Sequence, residues 1–209
     1  MGESKSIEGQ IREQLIGIRN MSCFFVGSRR RILQDMFSVK SRPLYKLAFQ
    51  YPIGKIPRED MVDYLVVQFD LDGKHCPPEL AGGIYDVAEG YTYYIQKLAH
   101  ILYDLVDRTA TTEDLSKARS ILMSMEAPAC ESVYAGLPVM EKRLLLALAA
   151  DPTASPFTRD YMATHRFSLG GIQRALDSLQ KKDHVERNPD KVYSLPDPLL
   201  ALWCREAGE

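Results

Sequence analysis

What this 209-residue sequence lacks narrows it first. No run approaches the 18 or so consecutive apolar residues that a membrane span needs, so no transmembrane helix is expected. The start, Met-Gly-Glu-Ser-Lys, is not followed by the apolar core of a signal peptide. The four cysteines, Cys23, Cys76, Cys130 and Cys204, form no CxxC pair. That argues against a disulfide framework and for a reduced, cytoplasmic protein. The four histidines, His75, His100, His165 and His184, share no helical spacing. His75 adjoins Cys76, but no second pair completes a four-ligand zinc site, so no metal is expected. Nothing in the spacing brings a Cys-His or Ser-His pair together for nucleophilic catalysis. The formal net charge is only −2, which gives no general pull toward nucleic acid or membranes. Repeats and low-complexity segments are absent too.

What is present suits a soluble globular chain, 45% hydrophobic and 26% charged. The charge is unevenly spread. Residues 1–60 carry eleven Lys/Arg against six Asp/Glu, a net +5, and residues 61–130 carry five against eleven, a net −6. Residues 131–209 carry ten against eleven, a net −1.

The basic segment contains Ser22-Cys23-Phe24-Phe25-Val26-Gly27-Ser28-Arg29-Arg30-Arg31. Ile7, Ile11, Leu15 and Ile18 before it fall on one helix face. Phe24–Val26 reads as a short buried strand, because buried parallel strands are continuous apolar runs. A further helix follows over about 29–38, and a second strand is expected near Ala48–Ile53. Helix, strand, Gly-Ser and helix make one α/β unit, and ligands of such sheets bind beyond the carboxyl ends of the strands. Two strands are too few for an independent sheet.

From Pro57 the pattern is helical. Val62, Leu65, Val66 and Phe69 form one stripe, ended by Asp72-Gly73. Pro77-Pro78 open a helix with Leu80, Ile84 and Val87, closed by Gly90. Tyr94, Leu98, Ile101, Leu102 and Leu105 mark a third. Thr111 with Asp114 resembles a capping box before Leu115, Ala118, Leu122 and Met125. The last part predicts a helix over Met140–Ala149, a short one over Phe157–His165, and a third capped by Ser168. A hairpin is expected next, His184–Arg187 and Lys191–Ser194 around Asn188-Pro189-Asp190. Three helices and a hairpin are a winged-helix pattern.

Several segments, in this order, resemble a known family: Phe24–Arg30, Arg42-Pro43-Leu44-Tyr45, Ile53-Gly54-Lys55-Ile56-Pro57-Arg58-Glu59, Gly90-Tyr91-Thr92-Tyr93-Tyr94-Ile95-Gln96, and Ser194–Trp203 with its Asp197-Pro198. They are similar to the sensor segment, an "RP-(F/L)-Y" element, the entry to the helical lid, a "GxPYYxQ" element and a terminal "DP" signature of the archaeal-type P-loop ATPases, a STAND group of the AAA+ superfamily. The likeness covers nearly the whole chain and corresponds to the C-terminal two-thirds of such a protein. It implies a mainly α fold with a small β component: a remnant of an α/β P-loop NTPase core over 1–56, a helical lid over 57–127, and a winged helix with a C-terminal docking segment over 128–209.

The departures bear on function. A phosphate loop needs G-x-x-x-x-G-K-(S/T), whose backbone N–H groups cradle the phosphates. The only Gly-Lys pairs, Gly54-Lys55 and Gly73-Lys74, are followed by Ile56 and His75, with no glycine five residues ahead. Leu65–Asp70 mimics the acidic magnesium motif, but its helical spacing assigns it to the lid. Thr92 replaces the proline of "GxPYYxQ". The intact family uses ATP and Mg2+ as a conformational switch. This chain alone is expected to bind neither and to be inactive as an ATPase.

Site residues follow from the resemblance and from residue chemistry. Ser28, Arg29 and Arg30 resemble nucleotide-sensing positions, and a guanidinium fork suits phosphate. The alternative is solvated cations at a helix start. In the winged helix, Gln173, Arg174, Gln180, Lys181, Lys182, Arg187 and Lys191 are the residues available to DNA, although acidic neighbours leave only about +2 over 166–192. Tyr91, Tyr93 and Tyr94 read as lid core and helix start rather than a stacking platform. Trp203 is expected to anchor the C-terminal segment. The expected partners are a missing ATPase core or another protein, DNA through the winged helix, or a second copy through Phe24–Val26. The rival readings are a non-enzymatic winged-helix regulator and a degenerate gene product.

Overall fold

The computed structural model describes residues 6–18, 20–27, 30–51, 53–71, 73–188 and 190–207, without the side chains of residues 30 and 31. The chain divides into Met1–Gly54 and Lys55–Glu209.

In the first unit, α1 is Ile7–Gly17 and α2 is Arg30–Ser38. Ser6 caps α1, its hydroxyl accepting from the Gly9 N–H at 3.3 Å, and Glu8 lies in the positively polarised first turn. No residue of α1 is buried. What fixes the unit is Phe37 and Leu44, both buried, the Glu8–Arg42 ion pair, and Arg12 Nη1 donating to the Pro43 carbonyl at 2.6 Å. Arg42-Pro43-Leu44-Tyr45 is thus a structural corner, with Leu44 as its plug.

The two strands expected in this unit are not strands. Phe24–Val26 has no regular structure and no pairing partner among the described residues, with Phe24 89% and Val26 90% exposed. Around Ala48–Ile53 the described residues are irregular, and Phe49, Tyr51 and Ile53 face solvent. A strand exists only when a neighbour takes its backbone N–H and C=O groups, and the described residues offer these segments none.

In the second unit, α3 is Arg58–Leu71, α4 Pro78–Val87, α5 Thr92–Leu105 and α6 Thr112–Ala135. Met61, Leu65 and Phe69 are the buried stripe of α3, so Leu65–Asp70 lies within a helix. Gly73, at φ +75°, turns the chain after it. Gly90 also has φ +75°, and a Cβ there would lie 2.7 Å from Tyr85 Oη. Only glycine fits that close, left-handed corner. The capping box is present: Asp114 N–H donates to Thr111 Oγ1 (3.2 Å) and Thr111 N–H to Asp114 Oδ2 (3.1 Å).

α6 is longer than its sequence pattern suggests. It passes through Pro128 and runs to Ala135. An interior proline removes a helical hydrogen bond and costs about 3 kcal/mol. The continuation is held by packing: Cys130 is buried, and Val133 and Tyr134 join the C-terminal core. The boundary expected between residues 127 and 128 therefore falls inside one continuous helix.

Next come α7 (Val139–Ala150), α8 (Arg159–Thr164), α9 (Leu169–Lys181), β1 (Glu186–Arg187), β2 (Tyr193–Ser194) and α10 (Pro198–Ala207). β1 and β2 pair antiparallel, Glu186 opposite Ser194 and Arg187 opposite Tyr193. Thr153, between α7 and α8, bridges to Tyr193 and adds a third position to the small sheet. This is a winged helix, with three helices, a wing and a terminal helix. Ser168 stands at the N-cap of α9, but its side chain makes no cap bond. The fold is mainly α with a two-stranded β component. Among the described residues no helix is long and apolar enough to cross a membrane.

Candidate functional site at the junction of the two cores

Two apolar cores fill the second unit. One joins α3, α4, α5 and the first half of α6; the other joins the end of α6 with α7, α8, α9 and α10. α10 belongs to both. Leu199 is fully buried in the first core, whereas Leu200, Ala201 and Cys204 are buried in the second. Burying a leucine contributes about 1.5–3 kcal/mol, so the helix is anchored on both sides.

Asp197 organises the junction. Its Oδ1 accepts from the N–H groups of Leu199 (2.9 Å) and Leu200 (3.1 Å), capping α10. Its Oδ2 accepts from the Tyr94 hydroxyl of α5 at 3.0 Å. Burial, then the Asp197 charge, raises the Tyr94 pKa far above that of free tyrosine. The phenol stays a donor. Pro198, next in sequence, suits the first turn of α10 because its missing N–H would have no helical partner.

Ionic contacts continue the junction. Lys97 of α5 pairs with Glu126 of α6. Arg119 of α6 pairs with Glu206 of α10 at 2.8 Å. Arg205 Nη1 donates to the Ala149 carbonyl at the end of α7 (3.3 Å). Trp203 lies against Tyr134 of α6, ring centroids 5.5 Å apart. The expected docking role of Trp203 thus has a named surface.

The segment leading into α3 meets the turn at Gly90. Arg58 makes two 2.8 Å bonds to the Asp86 carboxylate, Tyr85 Oη donates to the Ile56 carbonyl at 2.9 Å, and the Lys55 ammonium stands 4.9 Å from the Tyr91 ring centre. Of the three tyrosines, Tyr91 stands at the N-cap of α5 without a side-chain cap bond, Tyr94 is half-buried, and Tyr93 is exposed and edge-on to Tyr94.

Ser28 and Arg29 lie outside the described residues, as does the side chain of Arg30, whose backbone opens α2. On α9, Gln173, Arg174 and Lys181 share an exposed face with Asp177 between them; Gln180 is half-buried. The opposite face, Ile172, Ala175, Leu176 and Leu179, is buried. Arg174 Nε donates to the Gly170 carbonyl (3.0 Å). On the wing, Arg187 and Lys191 are exposed, Arg187 bonding the Lys191 carbonyl at 3.1 Å. Lys182 differs. Its ammonium bonds Glu141 Oε2 at 2.8 Å, and Glu141 is 7% exposed. Its lone basic letter in the sequence carries no sign of that partner.

Three of the four histidines are dispersed in pairs of their own: His75 with Asp70, His100 with Asp104, His165 with Asp151. Among the described residues no group of three His, Cys, Asp or Glu could hold a metal. Burial pushes the thiols of Cys76 and Cys130 up to about 11 and that of Cys204 to about 12, so they are poor nucleophiles. One groove of about 460 Å³ runs between α3 and α5, lined by Tyr64, Gln68, Gln96 and Tyr103.

A family model described as "Probable winged helix domain" matches residues 129–206. No curated protein matches the sequence. A Walker-type ATPase of Pyrococcus abyssi is similar in structure, with a TM-score of 0.62 and 17% sequence identity. The similarity covers 83% of this chain and 50% of that one. This chain spans half the length of the solved structure it matches, and at that identity the likeness is one of fold.

Proposed function

We propose that this chain is the lid and winged-helix portion of a P-loop ATPase of the STAND type, and that it transmits nucleotide state to a partner as one rigid piece. The observation that carries the reading is the double membership of α10. Leu199 packs with the lid, Leu200 and Cys204 pack with the winged helix, and Asp197 ties the start of the same helix to Tyr94. A displacement of the lid by an occupied nucleotide site is then passed to the α9 face without a hinge between them, because close-packed cores move as units. Ser28, Arg29 and Arg30 supply the γ-phosphate sensor in this reading. ATP and Mg2+ belong to a nucleotide core that carries the phosphate loop, and this sequence has no such loop. The chain alone therefore neither binds nor hydrolyses ATP. Calorimetric titration of the full chain with ATP and Mg2+ tests that, with no heat of binding expected. Magnesium-dependent micromolar affinity would refute it.

The exposed Gln173, Arg174 and Lys181 on one face of α9, together with the exposed Arg187 and Lys191 of the wing, favour a second reading, a winged helix that contacts DNA. In that case Arg174→Ala and Lys181→Ala weaken binding to duplex DNA and each lowers the slope of log affinity against log salt by about 1. An unchanged slope in both removes this face from consideration.

A further inference from the structure

We infer that the turn at Glu89-Gly90 is a relay, which passes a displacement of the chain entering α3 to α10 and so to the winged helix. The turn is gripped from two sides. On one side it holds the entering chain. Lys55 directly follows the first unit in sequence. Its ammonium donates to the Glu89 carbonyl and stands 4.9 Å from the Tyr91 ring centre. Tyr85 Oη donates to the Ile56 carbonyl at 2.9 Å, and Arg58 donates to the Asp86 carboxylate at 2.8 Å. On the other side the Glu89 carboxylate lies 3.7 Å from Arg205 Nη2. The same guanidinium donates through Nη1 to the Ala149 carbonyl at the end of α7, at 3.3 Å. Glu89 is thus held to Lys55 by its carbonyl and to α10 by its side chain.

Between the two grips lies an element with two settings. Glu89 has φ +48° and Gly90 φ +75°. Glycine takes the left-handed region freely. A glutamate there is strained, and it persists only where its surroundings hold it. Lys55 and Arg205 hold it from opposite ends of the residue. Loss of either frees Glu89 toward the right-handed region, and the other contact then loses its geometry. Both contacts therefore bias the conformation of one residue, which is the physical requirement for coupling between them. A Cβ on Gly90 would lie 2.9 Å from Lys55 Cδ, so the missing side chain is what lets the lysine cross the turn. The relay rests on the proposed transmission for its role in the intact protein. Its test involves no nucleotide, so the two readings can fail separately.

Amide hydrogen exchange of the full chain, read residue by residue, is the test. Lys55→Met should raise exchange by about threefold or more at Gly90 and Tyr91, whose N–H groups donate to the Tyr85 and Ala88 carbonyls. It should raise exchange equally in Cys204–Ala207, the last turn of α10. Arg205→Met should raise it at Gly90 and Tyr91 in return, because coupling is reciprocal. Glu89→Gly keeps the left-handed turn and removes the carboxylate. In that background Lys55→Met should no longer raise exchange in Cys204–Ala207. A Lys55→Met effect confined to the turn overturns the inference, as does an Arg205→Met effect confined to α10. A rise in Cys204–Ala207 that persists in the Glu89→Gly chain overturns it too, because the coupling then bypasses Glu89.

Discussion

The Tyr94 hydroxyl donates to Asp197 Oδ2 at 3.0 Å across 103 residues of sequence, while Asp197 Oδ1 caps the last helix. One carboxylate thereby serves two purposes. It starts α10 and fixes α10 to α5. Two of the resembling sequence elements, Gly90–Gln96 and Ser194–Trp203, thus meet in a single contact.

Removing that contact should loosen the junction. Tyr94→Phe is expected to cost about 1.5–3 kcal/mol, the range for a hydrogen bond to a charged group. Asp197→Ala should cost that plus about 1 kcal/mol for the lost cap. A double-mutant cycle in urea unfolding measures the coupling, and a coupling energy near zero would show that the bond contributes nothing to stability.

Leu199→Ala should disturb the core of α3, α4, α5 and the first half of α6 although the residue sits in the terminal helix. The expected loss is about 2–5 kcal/mol. Hydrogen exchange should rise in α5 and the first half of α6 as well as in α10. Exchange that rises in α10 alone would separate the terminal helix from that core.

Alkaline unfolding should be traceable to two phenols. Burial first, then Asp197 for Tyr94 and Asp151 for Tyr161, raises both pKa values in the folded state. The unfolded chain releases these protons at about pH 10. The stability from keeping the phenols neutral is complete below that pH and is lost as pH rises above it. Tyr161→Phe should make the fall in melting temperature above pH 10 shallower.

The acid side has a counterpart in His184. Burial first, then the Lys182 charge, lowers its pKa, with Asp183, Glu141 and Asp197 opposing. The neutral imidazole favours the fold above the unfolded value of about 6.5, and that contribution is lost as pH falls through the lower folded value. His184→Gln should flatten the stability profile between about pH 5 and 7, and an unaltered profile would assign the acid loss to other groups.

Thiol chemistry should separate Cys23 from the rest. Cys76, Cys130 and Cys204 are buried and Cys23 is exposed. A disulfide reagent should titrate one thiol in the native chain and four in denaturant. Fast reaction of a second native thiol would mean that a core opens readily.

The local signals in the sequence were legible because local physics decides them. Thr111 and Asp114 define a capping box in four residues, and Gly90 marks a corner that no side chain fits. The 3.6-residue period of Leu65, Phe69, Ile95, Leu98 and Leu102 fixes which faces are buried. The helix–helix–helix–wing order of residues 139–194 fixed the winged helix by the same rules. What tertiary structure decided lies where the sequence is locally ambiguous or silent. Phe24–Val26 reads as a strand by composition, but a strand is a relation between two segments, and no described segment of this chain completes it. α6 continues past Pro128 because Cys130, Val133 and Tyr134 gain a core beyond it, a gain that no window of propensity contains. Lys182 looks like one more cation until Glu141 is found beneath it. Tyr94 and Asp197 carry no mutual signal at all: periodicity reaches a few turns along the chain, and contacts between its distant parts exist only after the chain has folded.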